Sequence, residues 1–168
     1  MTVISAQSFR TARLDVLPLR VEHAEEMAAV LGDPALHEFI GGAPHSPEAL
    51  RARYERLVAG CPDPAVSWCN WVLRLHEGGA LVGTVQATVA GGVAEIAWVV
   101  GTGWQGRGFA SEAAVGLVGW LERQGAGSVV AHVHPEHRAS AAVATAAGLT
   151  PTGEEQDGEV RWRREPRP

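Results

Sequence analysis

Three strand-like runs, residues 68–75, 81–89 and 93–100, follow one another with Gly78-Gly79 and Gly91-Gly92 as punctuation. Glycine pairs accept the positive φ that tight hairpin turns require, so this spacing predicts an antiparallel meander. Directly after it the period changes: Ala110, Ala113, Ala114, Leu117, Val118 and Leu121 recur at helical spacing from Gly108 onward. That pattern predicts a helix with one buried face. A meander leading straight into a helix also excludes the parallel βαβ opening on which dinucleotide-binding folds are built.

The rest of the chain surrounds this unit with alternating elements. Residues 14–19 read as a first strand, and residues 21–31 as a helix with Ala24, Met27, Ala28 and Leu31 on one face, stopped by Gly32-Asp33-Pro34. Residues 36–47 read as a loop. Ser46 then offers a cap, Pro47 suits the first helical position, and Leu50, Tyr54 and Leu57 give a second helix its stripe, ending near Gly60. Residues 128–133 form a β-branched strand, residues 138–147 an alanine-rich helix ended by Gly148, and Asp157-Gly158 turns between two last strands. The expected fold is α/β, with helices and strands mixed around one sheet. At 168 residues without repeat or linker, one domain spanning 1–168 is expected.

Charge narrows the partners. With 14 Lys+Arg against 19 Asp+Glu, the net charge of −5 argues against a phosphate backbone held on a broad basic face. It favours a cationic acceptor through long-range attraction. No apolar stretch approaches the ~20 residues that cross a bilayer, and residues 1–9 lack a basic start followed by an apolar run, so the expected compartment is the cytoplasm. Cys61 and Cys69 are too few for a disulfide framework and read as reduced thiols. Seven histidines without convergent ligand spacing predict no metal.

The segment from Val99 to Glu112 carries the most chemistry. A strand passes through Gly101, Gly103, Gly106 and Gly108 into a helix, so unpaired amides of the first turn meet the positive end of the helix dipole. Gly106 and Gly108 allow a phosphate close to the main chain, and Arg107 can add charge. The Gly-Lys-Ser/Thr ending of a nucleoside-triphosphate loop is absent. A tight strand-to-helix turn with no ligand is the alternative reading.

Gln105-x-x-Gly108-x-Ala110 resembles the acyl-CoA pyrophosphate loop of the GNAT family of N-acetyltransferases, with Trp98-Val99-Val100 where that family ends the preceding strand. Thr11-Ala12-Arg13-Leu14 resembles the start of its ribosomal-protein N-terminal acetyltransferase-like branch. His134-Pro135-Glu136-His137-Arg138-Ala139-Ser140, continuing to Ala147-Gly148-Leu149, resembles that branch's later motif. The resemblance implies a mostly antiparallel sheet splayed between the strands ending at Val100 and Val133, with pantetheine in the opening. It implies acetyl-CoA as co-substrate, main-chain partners from Trp98, Val99 and Val100, and a pyrophosphate cradle of Gln105, Gly106, Arg107, Gly108, Phe109 and Ala110, extended by Ser111. His137 stands where the family often has Asn, and Ala144 where many members carry a tyrosine acid. The only tyrosine, Tyr54, belongs to another helix.

By this resemblance the chain is expected to move acetyl to a primary amine, on a peptide N-terminus or a small molecule, by direct attack in a ternary complex. Direct attack requires a group that takes the amine's proton. Glu95, on the strand leading to the loop, is the first candidate; a solvated strand carboxylate is the alternative. His132 and His134, at the end of the other splayed strand, are further candidates. Ser140 is a candidate for leaving-group support, or else a helix N-terminal serine satisfying backbone donors. The acceptor side is expected from residues 36–47 with Trp68, Trp71 and Trp98, and Glu38 and His45 are either amine contacts or solvated loop residues. A non-catalytic acyl-CoA-binding domain is the alternative function, distinguished by the absence of amine-dependent thiol release.

Overall fold

The computed structural model describes residues 3–168; Met1 and Thr2, which begin both the 1–168 span and the opening read for a leader, lie outside the described residues. The chain runs β1 (Phe9–Arg10), β2 (Leu14–Pro18), a 3-10 turn (Val21–His23), α1 (Ala24–Val30), a 3-10 turn (Pro34–Leu36) and α2 (His37–Ile40). It continues through α3 (Pro47–Ala59), β3 (Val66–Leu75), β4 (Leu81–Ala90), β5 (Val93–Val100), a 3-10 turn (Thr102–Trp104) and α4 (Phe109–Arg123). The last elements are β6 (Ser128–Val133), α5 (Arg138–Ala146), β7 (Thr150–Gln156) and β8 (Glu159–Arg164).

Local chemistry explains most boundaries. The Ser46 hydroxyl accepts from the Ala49 N–H at 3.1 Å, and Pro47 follows as the first helical residue of α3. Gly91 and Gly92, at φ 57° and 78°, make the two-residue turn that sets β5 against β4. The expected loop at residues 36–47 instead begins with α2. Its stop is local: the His37 ring lies 3.2 Å from the Leu31 carbonyl and 3.3 Å from the Gly41 carbonyl. Such side-chain contacts leave no apolar period, so periodicity reads the segment as loop.

The strands form one sheet in the order β1-β2-β3-β4-β5-β6-β8-β7, and every neighbouring pair is antiparallel except β5 and β6. Alternation sorts side chains between two covers. On one face Trp71, Val85 and Ile96 pack with α4 and α5. Here Trp71 meets Trp120 edge-on at 5.1 Å and Phe9 at 6.0 Å, an aromatic centre whose truncation costs about 3–5 kcal/mol. On the opposite face Val72 and Leu81 pack with Met27 of α1 and with Leu50 and Tyr54 of α3. That cover stops short of β5, where Glu95 and Ala97 are exposed on the α3 face.

The parallel pairing is brief. It joins Val93 to Ser128, Ala94 to Val129 and Glu95 to Val130, and no further. Beyond it β5 stays with β4 up to Val100, while β6 stays with β8 up to Val133. The sheet therefore opens as a V, as the resemblance implied.

Candidate active site

The V is the floor of a cleft of about 950 Å³, within the range of small-molecule sites. Its β5 wall presents main chain. The Gly101 N–H donates to the Val82 carbonyl at 2.9 Å, which with the antiparallel register commits Val99 to β4 and turns the main-chain groups of Trp98 and Val100 toward the split. Val99 thus lines the cleft without free main-chain groups of its own, and the implied main-chain pairing falls to its two neighbours. The Val100 carbonyl also accepts from Gln105 Nε2 at 2.9 Å, so the Gln105 side chain ties the loop to the strand end.

Above this wall the loop enters α4. Gly108, at φ 81°, holds the left-handed conformation that starts the helix, and its carbonyl receives the Glu112 N–H at 3.0 Å. The amides of Phe109, Ala110 and Ser111 precede that first helical bond and have no acceptor within the helix. All three residues, with Gly106 and Gly108, line the cleft. A row of unengaged amides beside an open strand edge fits a pyrophosphate continued by an amide-bearing chain. Arg107 departs from expectation: it is not among the lining residues, and its guanidinium lies over the Trp104 ring at 5.3 Å. Stacking turns it aside.

The loop is gripped from behind by the segment before β2. Arg13 donates from Nε to Glu112 at 2.8 Å and from its guanidinium to the Arg107 carbonyl at 2.9 Å, and lies 4.3 Å over the Phe109 ring. The Arg13 N–H also reaches Glu112, at 2.9 Å. Burial raises the Glu112 pKa, but hydrogen bonds from Thr11 and Arg13 outweigh it and hold the carboxyl below its ordinary value.

Both walls supply titratable groups, Glu95 from β5 and His132 from β6. The Glu95 carboxylate accepts from His132 Nδ1 at 2.8 Å, and both residues line the cleft. The His132 side chain is 12% exposed, and its Nε2 is buried without a partner among the described residues. His134 instead accepts the Glu136 N–H at 3.1 Å through Nδ1, an occupation that orders the turn into α5. Ser140 lines the cleft, and the α5 start carries no side-chain cap, so the serine's alternative role as a cap is not realised.

His137 stacks on Phe39 of α2, with centroids 4.3 Å apart and planes at 19°. This contact carries residues 36–47 across to α5 and roofs the cleft. Burial and then the neighbouring His134 hold the His137 pKa below its ordinary value. His45 and Trp98 also line the cleft, whereas Glu38 does not. Trp71 reaches it only as a buried core residue, its indole N–H given to the Gln7 carbonyl at 2.9 Å. Trp68 belongs to a separate cavity of about 370 Å³ that also holds Cys61. Cys69 is buried, its thiol pushed up to about 11 by burial. Among the described residues no group of three or more His, Cys, Asp or Glu is arranged to hold a metal, and no helix is long and apolar enough to cross a membrane.

Three contributors escaped sequence reasoning. Phe39 left no signal; Arg13 stood in a segment matched only by resemblance; Tyr54 read as part of an apolar stripe. Yet Tyr54 lines the cleft.

Comparison with known proteins agrees with this geometry. Residues 13–150 match the model of a family described as an acetyltransferase (GNAT) domain. No curated protein matches the chain. Among solved structures, an acetyltransferase from Agrobacterium tumefaciens str. C58 is 25% identical, with TM-score 0.76 over 98% of each chain. A ribosomal-protein-S5-alanine acetyltransferase from Vibrio fischeri is 17% identical, with TM-score 0.79 over 95% of this chain and 97% of that one. RimL, a ribosomal L7/L12 alpha-N-protein acetyltransferase solved with coenzyme A, is 17% identical, with TM-score 0.80 over 95% of this chain and 98% of that one.

Proposed function

The chain belongs to the GNAT acetyltransferase family and is an acetyl-CoA-dependent acyltransferase; from that premise we propose that it acetylates a primary amine by direct attack in a ternary complex. The observation that carries this reading is the Glu95–His132 pair, set at 2.8 Å where β5 and β6 part, in the same cleft as the unengaged amides of α4. The thioester supplies an activated acyl carbon. This chain's residues then have three tasks.

The first is holding the donor. Trp98 and Val100 offer main-chain groups to the pantetheine arm, while Gly106, Gly108, Phe109, Ala110 and Ser111 face the pyrophosphate. The second is removing a proton, since an ammonium has no lone pair for attack. Glu95 is the exposed member of its pair and takes that proton directly or through a water, and His132 orients its carboxylate. The third is support of the departing sulfur, assigned to the Ser140 hydroxyl, because Ala144 provides no acid. His137 borders the donor site beneath Phe39 and contacts the donor from the α5 side.

The acceptor is a primary amine on a peptide N-terminus or a small molecule. The ribosomal-protein acetyltransferases among the structural neighbours support the first of these. A single domain acting without a membrane or nucleic-acid partner, in the cytoplasm, completes the proposal.

Calorimetric titration with acetyl-CoA, using ATP and NAD as controls, tests the donor site; thiol release on adding amines tests transfer. Binding of acetyl-CoA alone and amine-dependent thiol release are the expected results. A folded protein that binds no acetyl-CoA, or binds it without any amine-dependent release, contradicts the proposal.

A further inference from the structure

Tyr54 presents an unexplained polar atom. The residue is 4% exposed, and its hydroxyl is buried with no hydrogen-bond partner among the described residues. A buried hydroxyl left unpaired destabilises a fold, and a phenylalanine ring would fill the same space without that penalty. Packing accounts for the ring, which joins Leu50, Met27 and Val72, but not for the oxygen. That oxygen belongs to a residue on the wall of the cleft.

The sheet beneath Tyr54 continues in polar rows. Val72 pairs with Thr84, which pairs with Val99; the next row is Asn70, Gln86 and Ala97, and the next ends at Glu95. Thr84, Asn70, Gln86 and Glu95 all line the cleft on this face. From the Val72 row to the Glu95 row is about 13 Å along the strands. The tyrosine's side of the cleft is thus joined to the proposed proton acceptor by hydrogen-bonding side chains.

Resting on the acetyl-transfer reading above, we propose that Tyr54 is an acceptor-binding residue whose hydroxyl pairs with an oxygen or nitrogen that the acceptor carries away from its reacting amine. The class of acceptor is then an extended polar amine, not a simple alkylamine. Burial pushes the phenol up to about 12, so it stays neutral at working pH and binds without transferring a proton.

The test is Tyr54→Phe, assayed by thiol release with acetyl-CoA and two probes of matched length, a tripeptide with a free N-terminus and an n-alkylamine. The variant is expected to raise the tripeptide KM about tenfold, with the acetyl-CoA KM, the alkylamine kinetics and the melting temperature held or the last raised. Equal kinetics for wild type and variant on the tripeptide overturn the inference. So does an equal loss on both probes, which marks a packing role, or a wild type that prefers the alkylamine. Since Tyr54 is the only tyrosine, ring-labelled protein gives one phenol signal. That signal is expected to shift with saturating tripeptide but not with acetyl-CoA alone, and a signal unmoved by the tripeptide overturns the inference whether or not turnover is seen. Failure of the wild type to bind acetyl-CoA is a separate result, which removes the acetyl-transfer reading itself.

Discussion

The Arg13 guanidinium donates to the Arg107 carbonyl at 2.9 Å, so a residue just before β2 fixes a peptide unit in the middle of the glycine-rich loop that enters α4. The same side chain is held by Glu112 on the first turn of α4. The carbonyl is thereby drawn to the back of the loop, leaving the following amides of the helix start for an anion. Arg13→Gln is expected to raise the acetyl-CoA KM about three- to tenfold, the scale of a partly exposed charge-assisted contact. The acceptor KM stays unchanged. Steady-state kinetics with each substrate varied in turn separate the two, and a selective rise in acceptor KM would assign Arg13 elsewhere.

Gly108 tolerates no larger residue without strain. Its φ of 81° is left-handed, and a Cβ there would stand 3.4 Å from an Arg13 guanidinium nitrogen. A β-branched side chain adds about 1–2 kcal/mol of backbone strain and blocks the main-chain approach. Gly108→Val is expected to keep the fold, by circular dichroism, and to lower acetyl-CoA affinity at least tenfold by calorimetry. Undiminished affinity would mean the anion does not approach at this turn.

Neither thiol lines the cleft. Cys69 is buried and held as the thiol, and Cys61 opens on the smaller cavity. The double variant Cys61→Ser, Cys69→Ser is expected to retain kcat within about twofold, in line with direct attack. Complete loss of turnover in a protein that still melts cooperatively would point to an acyl-cysteine.

His137 gives a pH dependence with a definite sign. Its folded pKa lies below the ordinary imidazole value of about 6.5, so the unfolded chain takes up the proton more readily than the native one. Its neutral form favours folding fully above about pH 6.5, and that contribution falls away as pH drops through the unfolded value toward the folded one. His23, also lowered by burial, acts in the same direction. The urea midpoint is therefore expected to rise from pH 5 to pH 7.5, and less steeply in His137→Asn. An identical slope in the two proteins would show that the ring is protonated equally in both states.

Glu95→Gln keeps the shape of the side chain and removes its ability to take a proton. The expected loss in kcat is about 10²-fold or more, the usual worth of a positioned base, with acetyl-CoA affinity preserved. Wild-type kcat in this variant, together with a large loss in His132→Ala, would transfer the role to the imidazole.

Sequence reasoning recovered what is written in local pattern. The glycine pairs, the Ser46-Pro47 helix start, the α4 stripe and the Asp157-Gly158 turn all express short-range rules, and the structure follows them nearly residue for residue. The unengaged amides after Gly108 are legible for the same reason, since a strand-to-helix turn is a local feature. What escaped was tertiary. Arg107 stood in the loop, yet stacking on Trp104 diverts it. Arg13 acts on atoms 94 and 99 positions further along the chain, a distance no periodicity spans. Glu95 and His132 were both candidates, but only the parallel β5–β6 pairing reveals them as partners. Tyr54 carried the spacing of a core residue because its ring is one, while its oxygen follows a different logic.

The three pairings between β5 and β6 also bear on mechanics. Among the described residues they are the ladder's only rungs between a five-stranded half, β1 to β5, and a three-stranded half, β6 to β8. A donor lying in the V and bonded to both sides would add rungs to a sheet whose halves are otherwise joined by these pairings and by the shared core under α4 and α5. Amide exchange along Trp98, Val100 and the end of β6 should then slow on acetyl-CoA binding far more than exchange within β3 and β4, making the co-substrate a structural member of the fold for as long as it stays bound.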